Sequence, residues 1–511
     1  MGMVDDGGRA QFFLTAATAY PALERAFIEA RSDISAGFRV FDPTTKLRSK
    51  EALAIGDTWG DLVAHTLARG VRFRLVLTDF DPVVRPSAHR MTWAAVKGWK
   101  AAAEASGRPD LFELHPAMHP ARLGFGTSII LWPKVMYEIR SEVIRLNGLS
   151  KAEAETDLEL MPQLAPHITG THPNLRPNYF TFPRLVPTTH HQKLAVFDGE
   201  TVYIGGLDLD ERRYDTAEHN RDGEETWRDS QMIIRSPLAA DAKRHLDEVL
   251  DVTAGKAEPS KLPHLLRTLS KPQSGKAFTF SPTPVLSEIE AAHLDGIKNA
   301  RDLIYMETQF FRSVPVAKAM AEAAGKNPHL KVLLILPAAP EDVAFEDNSK
   351  SDARYGEYLQ AKCLDLIQNA FGDRLFVAAP AQPRPTSHSG RGALKSAELI
   401  YLHAKISIFD EAVALISSAN LNGRSMRWDT EAGAALTHHA DIVALRNLCL
   451  DHWFAGSARP MPEDILDHTR QLALSNEALK PQDRQGFLLP MPLKPARRFG
   501  RNLPGVPEEV A

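Results

Sequence analysis

One stretch of this chain constrains its fold more than any other, because it occurs twice. His191-Gln192-Lys193-Leu194-Ala195-Val196-Phe197-Asp198 returns as His403-Ala404-Lys405-Ile406-Ser407-Ile408-Phe409-Asp410, with His, Lys, an apolar run, Phe and Asp at the same offsets. The seventh residue after each Asp opens a turn of small residues that ends in a carboxylate or an amide. These turns are Gly205-Gly206-Leu207-Asp208 and Ser417-Ser418-Ala419-Asn420. A register kept over so long a separation implies two halves of common design.

Side chains in a strand alternate between faces, so His191 projects with Lys193 and His403 with Lys405, while the intervening apolar residues face a core. Asp198 and Asp410 fall at the strand ends, where Asp198-Gly199 reads as a hairpin pair, and are expected to be structural. A single His in a strand is ordinarily a hydrogen-bonded core residue. Two copies facing each other would gather two imidazoles and two ammonium groups, a cluster suited to an anionic substrate in a confined cleft.

The two stretches resemble the paired HKD signatures of the phospholipase D superfamily. Tyr305-Met306-Glu307-Thr308-Gln309-Phe310-Phe311 resembles a Tyr-Ile-Glu-Asn-Gln-Phe-Phe segment of its eukaryotic-type members, Asn420-Leu421-Asn422-Gly423-Arg424-Ser425 their Asn-x-Asn-x-Arg-Ser, and Gly205-Gly206-Leu207-Asp208-Leu209 their Gly-Gly-Ile-Asp-Leu. The resemblance implies an α/β fold of two pseudo-twofold-related α-β-α sandwich halves with mixed sheets. It also implies that His191 is a nucleophile and His403 a general acid. Asp229 and Glu431, after Trp227-Arg228 and Trp428-Asp429-Thr430, would hold the imidazoles, with Asp429 a competing candidate in the second half. Asp208, Asn420, Ser418 and Gln309 would contact the substrate, and Gly205 and Gly206 would shape the turn.

Composition narrows the partners. Among 511 residues, Lys plus Arg (60) nearly balance Asp plus Glu (64), so no global basic field favours nucleic acid. Cys363 and Cys449 lie in helical patterns and read as core thiols rather than a disulfide or a metal site. Asp5 and Asp6 stand where a secretory signal would be basic, and no apolar run approaches membrane-spanning length. A soluble chain is expected, cytoplasmic or peripheral at a membrane, with export lacking a cleaved signal left open.

In chain order, helical spacing covers Pro21 to Arg31, a strand is expected over Phe38 to Asp42, a helix around Asp61 to Ala68, and a strand from Val71 to Leu77. The order repeats with a helix over 288–299, a strand over 303–307, a helix over 317–324 and a strand over 330–336. Alternation of this kind predicts mixed sheets flanked by helices. The division expected is a first half over 1–254, with a long insertion at about 82–189; a linker over 255–284 rich in Lys, Pro and Ser; a second half over 285–480; and a loosely ordered Pro- and Arg-rich tail over 481–511. Trp93, Trp99 and the 129–132 run of the insertion read as core, with a lipid interface as the alternative.

Two Lys and two His meet the needs of phosphodiester cleavage: Lys193 and Lys405 for the nonbridging oxygens, one His as nucleophile on phosphorus, the other as acid to the departing alcohol. No cofactor or metal is required for that chemistry. The expected substrate is a phospholipid at a membrane surface, and one chain suffices for the complete site. The expected activity is phospholipase D with transphosphatidylation. Alternatives are a phosphatidyltransferase like cardiolipin synthase, a nucleic-acid phosphodiesterase, or an inactive lipid-binding module.

Overall fold

The computed structural model describes residues 9–273, 275–387 and 389–510; Asp5 and Asp6 lie outside them. A seven-stranded sheet runs in the order Gln11–Phe13, Gln231–Arg235, Thr201–Gly205, Leu194–Phe197, Asp33–Phe38, Arg72–Thr78, Phe112–Ala117. The second sheet repeats this order as Leu266–Lys271, Glu431–Leu436, Val413–Ser417, Lys405–Phe409, Leu303–Thr308, Lys331–Ile335 and Leu375–Pro385, with short strands added at both edges. In each sheet the last three of these strands pair in parallel and the others antiparallel. The fold is therefore mixed α/β and duplicated.

Both faces of each sheet are covered, which explains why the motif strands are apolar on both sides. Leu194 and Val196 join Ile406 and Ile408 in one buried cluster. Ala195 and Phe197 pack instead with Tyr20, Phe27 and Trp99, and Phe409 with Ile297 and Met320. Asp198 and Asp410 are structural, each at φ 53°. Asp198 accepts from the backbone of Arg31, Ser32 and Asp33, and Asp410 from that of Arg301, Asp302 and Leu303. Each carboxylate thus pins the start of the strand beside its motif.

Several boundaries differ from the sequence reading. The first strand is Asp33–Phe38, not Phe38 to Asp42; its small residues Ser35, Ala36 and Gly37 hide a strand whose propensity is low. The insertion begins later than 82, because helix Pro86–Ala105 and strand Phe112–Ala117 match helix Ser351–Phe371 and strand Leu375–Pro385 of the other half. Phe-Glu-Leu-His-Pro-Ala is too polar to announce a strand. The supposed linker contributes Leu266–Lys271, the counterpart of Gln11–Phe13. The tail is tied down as well: Leu488–Pro490 pairs with Leu375–Pro385, and Glu508 and Glu509 bind Arg427. Trp99 is core, Trp93 donates to Asp79, and both cysteines are buried and free.

Buried histidines brace the motif strands. His293 approaches Ile289 O through Nδ1 (2.8 Å) and Ser407 Oγ through Nε2 (3.1 Å), and His245 Nε2 lies 2.6 Å from Gln192 Oε1. Burial lowers His293 to about 4 and His245 to about 3. An unfolded imidazole takes its proton near pH 6.5 whereas these do not, so their contribution is complete above 6.5 and is lost as pH falls toward 4. At about 1.4 kcal/mol per pH unit, this amounts to roughly 3.5 kcal/mol for His293 and roughly 5 kcal/mol for His245. His293→Gln is expected to flatten the fall of the urea midpoint between about pH 6.5 and 4.5; an unchanged slope would assign the acid sensitivity elsewhere.

Candidate active site

Each motif histidine lies just ahead of its strand, in a segment hydrogen-bonded to the opposite half. His191 N donates to Thr430 O (2.8 Å) and His403 N to Arg228 O (2.7 Å). The bridges His190 to Thr430 and Arg228 to Leu402 run in parallel beside them. This crossing exchanges the carboxylates between halves. His191 Nδ1 lies 3.0 and 3.1 Å from the two Oε atoms of Glu431, and His403 Nδ1 lies 2.6 Å from Asp229 Oδ2. Sheet register makes Asp229 and Glu431 equivalent, since Gly205 pairs with Gln231 and Ser417 with Gly433. Asp429 is not at the centre: it accepts from Thr188 Oγ1, Thr189 N and Arg424 Nε.

The lysines complete the cluster. Lys193 Nζ donates to His191 O (2.7 Å), lies 3.2 Å from His191 Nε2 and 3.8 Å from Asp208 Oδ2. Lys405 Nζ donates to His403 O and lies 2.9 Å from His403 Nδ1. After burial, the positive charges of Lys193, Arg39, Lys405 and His403 also disfavour protonation of His191. Burial is the largest influence throughout: it holds both imidazoles well below the usual range and raises Glu431 to about 8. It also brings Lys193 down to about 8 and Lys405 to about 7, against the pull of Asp208 and Asp229. Burial therefore works against separated charge in each His–carboxylate pair, which titrates as one coupled unit.

The remaining residues divide. Gly205 and Gly206 are required sterically, because a Cβ would come within 2.3 Å of Ser230 O at the first and 2.2 Å of Asp229 Oδ1 at the second. Ser418, at the place of Gly206, donates to Glu431 and so positions the carboxylate rather than standing free for substrate. Gln309 is likewise occupied, donating to Tyr401 Oη at 2.8 Å. Asp208 accepts from Val40 N through Oδ1, while its Oδ2 and the Oδ1 of Asn420 are buried without a hydrogen-bond partner among the described residues. Trp227, with its indole on Asp229 and its ring 4.7 Å from His403, closes one side.

Arg39 is the residue that motif reading passed over. Ile34 and Ile304 occupy matching register against Phe197 and Phe409, so Arg39 stands where the other half has Gln309. Its guanidinium makes no hydrogen bond among the described residues, lies 3.8 Å from Asp208 Oδ2, and its side chain is 27% exposed. It is thus a cation at the mouth, present in one half only. Arg39→Gln is expected to lower kcat/KM on a phosphodiester by roughly 10- to 100-fold, the worth of a charge-assisted hydrogen bond to an anion. Steady-state kinetics check this, and unaltered kcat/KM would remove Arg39 from the site.

Known proteins resemble this chain in sequence and in fold. A family model described as "Cardiolipin synthase, PLD-like domain" matches residues 294–453. The phospholipase D of Phytophthora infestans is 26% identical over 188 residues, covering 30% of this chain and 10% of that protein. Phospholipase D1 of Schizosaccharomyces pombe is 25% identical over 369 residues, covering 53% and 26%. The chain thus spans only a minor part of these relatives. The crystal structure of phosphatidylserine synthase from Haemophilus influenzae shares the fold, with a TM-score of 0.50 at 13% identity, over 94% of this chain and 96% of that one.

Proposed function

The chain belongs to the phospholipase D superfamily, and from that premise we propose that it cleaves the distal phosphodiester of glycerophospholipids, releasing the headgroup and phosphatidate. The observation that carries this reading is the crossed pair of dyads, His191 with Glu431 and His403 with Asp229, around two buried lysines. A carboxylate on each Nδ1 leaves Nε2 of each ring to face phosphorus. Lys193 and Lys405 neutralise the nonbridging oxygens. One Nε2 attacks phosphorus, the other imidazole protonates the departing alcohol, and a phosphohistidine forms. Water, deprotonated by the second imidazole, then opens the P–N bond. The family resemblance makes His191 the nucleophile and His403 the acid. Neutral imidazoles suit the nucleophile at rest, and an arriving anion favours the proton that the acid needs. These steps call for no metal or cofactor.

Choline release from phosphatidylcholine, with product identification in the presence of ethanol, tests the proposal. Phosphatidate and phosphatidylethanol are expected. Brisk hydrolysis without phosphatidylethanol would argue against a covalent intermediate, and nicking of plasmid DNA with lipid untouched would replace the lipid reading. An alcohol in the place of water makes the same centre a phosphatidyltransferase. The match to a cardiolipin-synthase-type domain supports that second reading, and phosphatidylglycerol supplied as acceptor separates the two by product.

The lysines set a pH dependence. They must be ammonium to hold phosphate, so kcat/KM is expected to fall as pH rises through about 7 to 8, where the free protein loses those protons. Bound phosphate favours the ammonium forms, so the basic limb of kcat should lie at higher pH. Coincident limbs in the two profiles would assign the titration to another group.

A further inference from the structure

The insertion that precedes the first motif carries an apolar corner with no covering element among the described residues. Helix Phe125–Asn147 buries Val135, Ile139 and Val143 in the insertion's own core. Its first turns leave Phe125, Ile129 and Ile130 in solvent, Ile130 68% exposed. A second segment continues the surface: Phe180 is fully exposed, the Phe182 ring lies 5.6 Å from Phe125, and Tyr179 lies 6.3 Å from Trp132. A third, from a distant part of the chain, is fastened alongside by Gly124 N to Thr279 O (2.9 Å) and Gly126 N to Ala277 O (2.8 Å). It lays Phe278, 74% exposed, over Gly126, where a Cβ would come within 2.5 Å of the ring. Three segments thus present one contiguous apolar surface, of the kind that marks an interaction site.

Two further features indicate its partner. The same segments carry exposed Lys134, Arg176 and Lys276, which form no ion pair among the described residues, so the apolar corner has a cationic rim. It is also tied to the catalytic centre through the chain. After Phe182, Val186 N is held by Asp81 Oδ2 (2.7 Å) and Thr188 Oγ1 by Asp429 (2.8 Å), and three residues later the chain reaches His191. Aromatic and aliphatic side chains ringed by lysine and arginine suit the headgroup boundary of an anionic bilayer. Among the described residues no helix is long and apolar enough to cross a membrane, so attachment would be interfacial. We propose that residues 125–132, 179–182 and 276–280 form the surface by which this protein docks on an anionic lipid bilayer, beside the entrance to the His191–His403 centre. This rests on the phospholipid reading of that centre.

The test is co-sedimentation of the full chain with vesicles of phosphatidylcholine alone and of phosphatidylcholine mixed with phosphatidylglycerol. It compares the wild type with Ile130→Ser/Phe180→Ser/Phe278→Ser and with Lys134→Glu/Lys276→Glu. The wild type is expected to pellet with the mixed vesicles. The apolar variant should partition at least about tenfold less, and the charge variant should lose the preference for phosphatidylglycerol. All three should turn over a monomeric short-chain phospholipid at rates within about twofold of one another. Undiminished sedimentation of the apolar variant would overturn the proposal, as would a wild type that stays in the supernatant. So would a change confined to oligomeric state by light scattering, which would make the surface a contact between copies. Sedimentation needs no turnover, so vesicle binding without lipid cleavage would sink the catalytic reading and leave the surface standing; cleavage of the monomeric lipid without binding would do the reverse.

Discussion

His191→Ala is expected to reduce phospholipid turnover at least about 10⁴-fold, and His403→Ala by a comparable factor, because each substitution removes a group acting directly on the reacting phosphorus or the departing oxygen. The two losses should then separate by substrate. A phosphatidyl ester of p-nitrophenol departs without a proton, so it should restore formation of the intermediate in His403→Ala but not in His191→Ala. His403 would also be the base that activates water, so His403→Ala should stop at the covalent stage. Acid-labile, base-stable label from phosphatidyl-labelled substrate should accumulate on that variant. Label on His191→Ala, or rescue of His191→Ala by p-nitrophenyl substrate, would reverse the assignment of roles. Full turnover by either variant on natural substrate would end the two-histidine scheme. Neither imidazole makes a core contact that alanine would abolish at large cost. His403 lies tilted against Trp227 and His191 is the most open member of the cluster, so melting temperatures near that of the wild type should accompany both losses.

What the sequence disclosed and what it concealed follow from the range of the interactions involved. The duplication was legible because His, Lys and Asp recur at fixed local offsets, because helix Glu288–Asn299 carries helical periodicity and because strand Lys331–Ile335 is an almost unbroken apolar run. The exchange of carboxylates was not, since the contact of His191 with Glu431 is set by the crossing of two segments and leaves no local pattern. Arg39 was hidden for a nearer reason: with the strand placed over Phe38 to Asp42, its side chain seemed to belong to a sheet face. With Arg39-Val40-Phe41 set against Gln309-Phe310-Phe311, each closing on a bridge to the turn residue Leu209 or Leu421, the cation at the mouth becomes visible. Polar strands escaped notice by the same token. Phe112–Ala117 carries Glu113, His115 and Pro116 at a sheet edge, where burial on both faces is not imposed.

Glu431→Gln against Asp429→Asn separates a group that orients the nucleophile from a neighbour that joins the halves. Both carboxylates are buried, two positions apart, and either looked fit for the role in sequence. Glu431 meets the His191 ring at Nδ1 through both oxygens and receives Ser418 Oγ. An amide there cannot exchange a proton with Nδ1 as the carboxyl does, and its NH2 can turn toward the ring, so it releases the tautomer that keeps Nε2 unprotonated toward phosphorus. Loss of about 10²- to 10⁴-fold in kcat is expected, as for the analogous change in a Ser-His-Asp triad, with KM altered much less. The fold should tolerate it, because Ser418 N still reaches Ala432 O and the sheet register is untouched. Asp429 touches neither imidazole. It gathers Thr188, Thr189 and Arg424, so Asp429→Asn weakens a charge-assisted junction worth roughly 1 to 3 kcal/mol and should lower the melting temperature, with kcat within about tenfold. Measuring kcat and melting temperature on both variants decides the matter. Near-normal turnover in Glu431→Gln, or a catalytic loss in Asp429→Asn with stability unchanged, would mean that the crossed dyads are not what aims the rings.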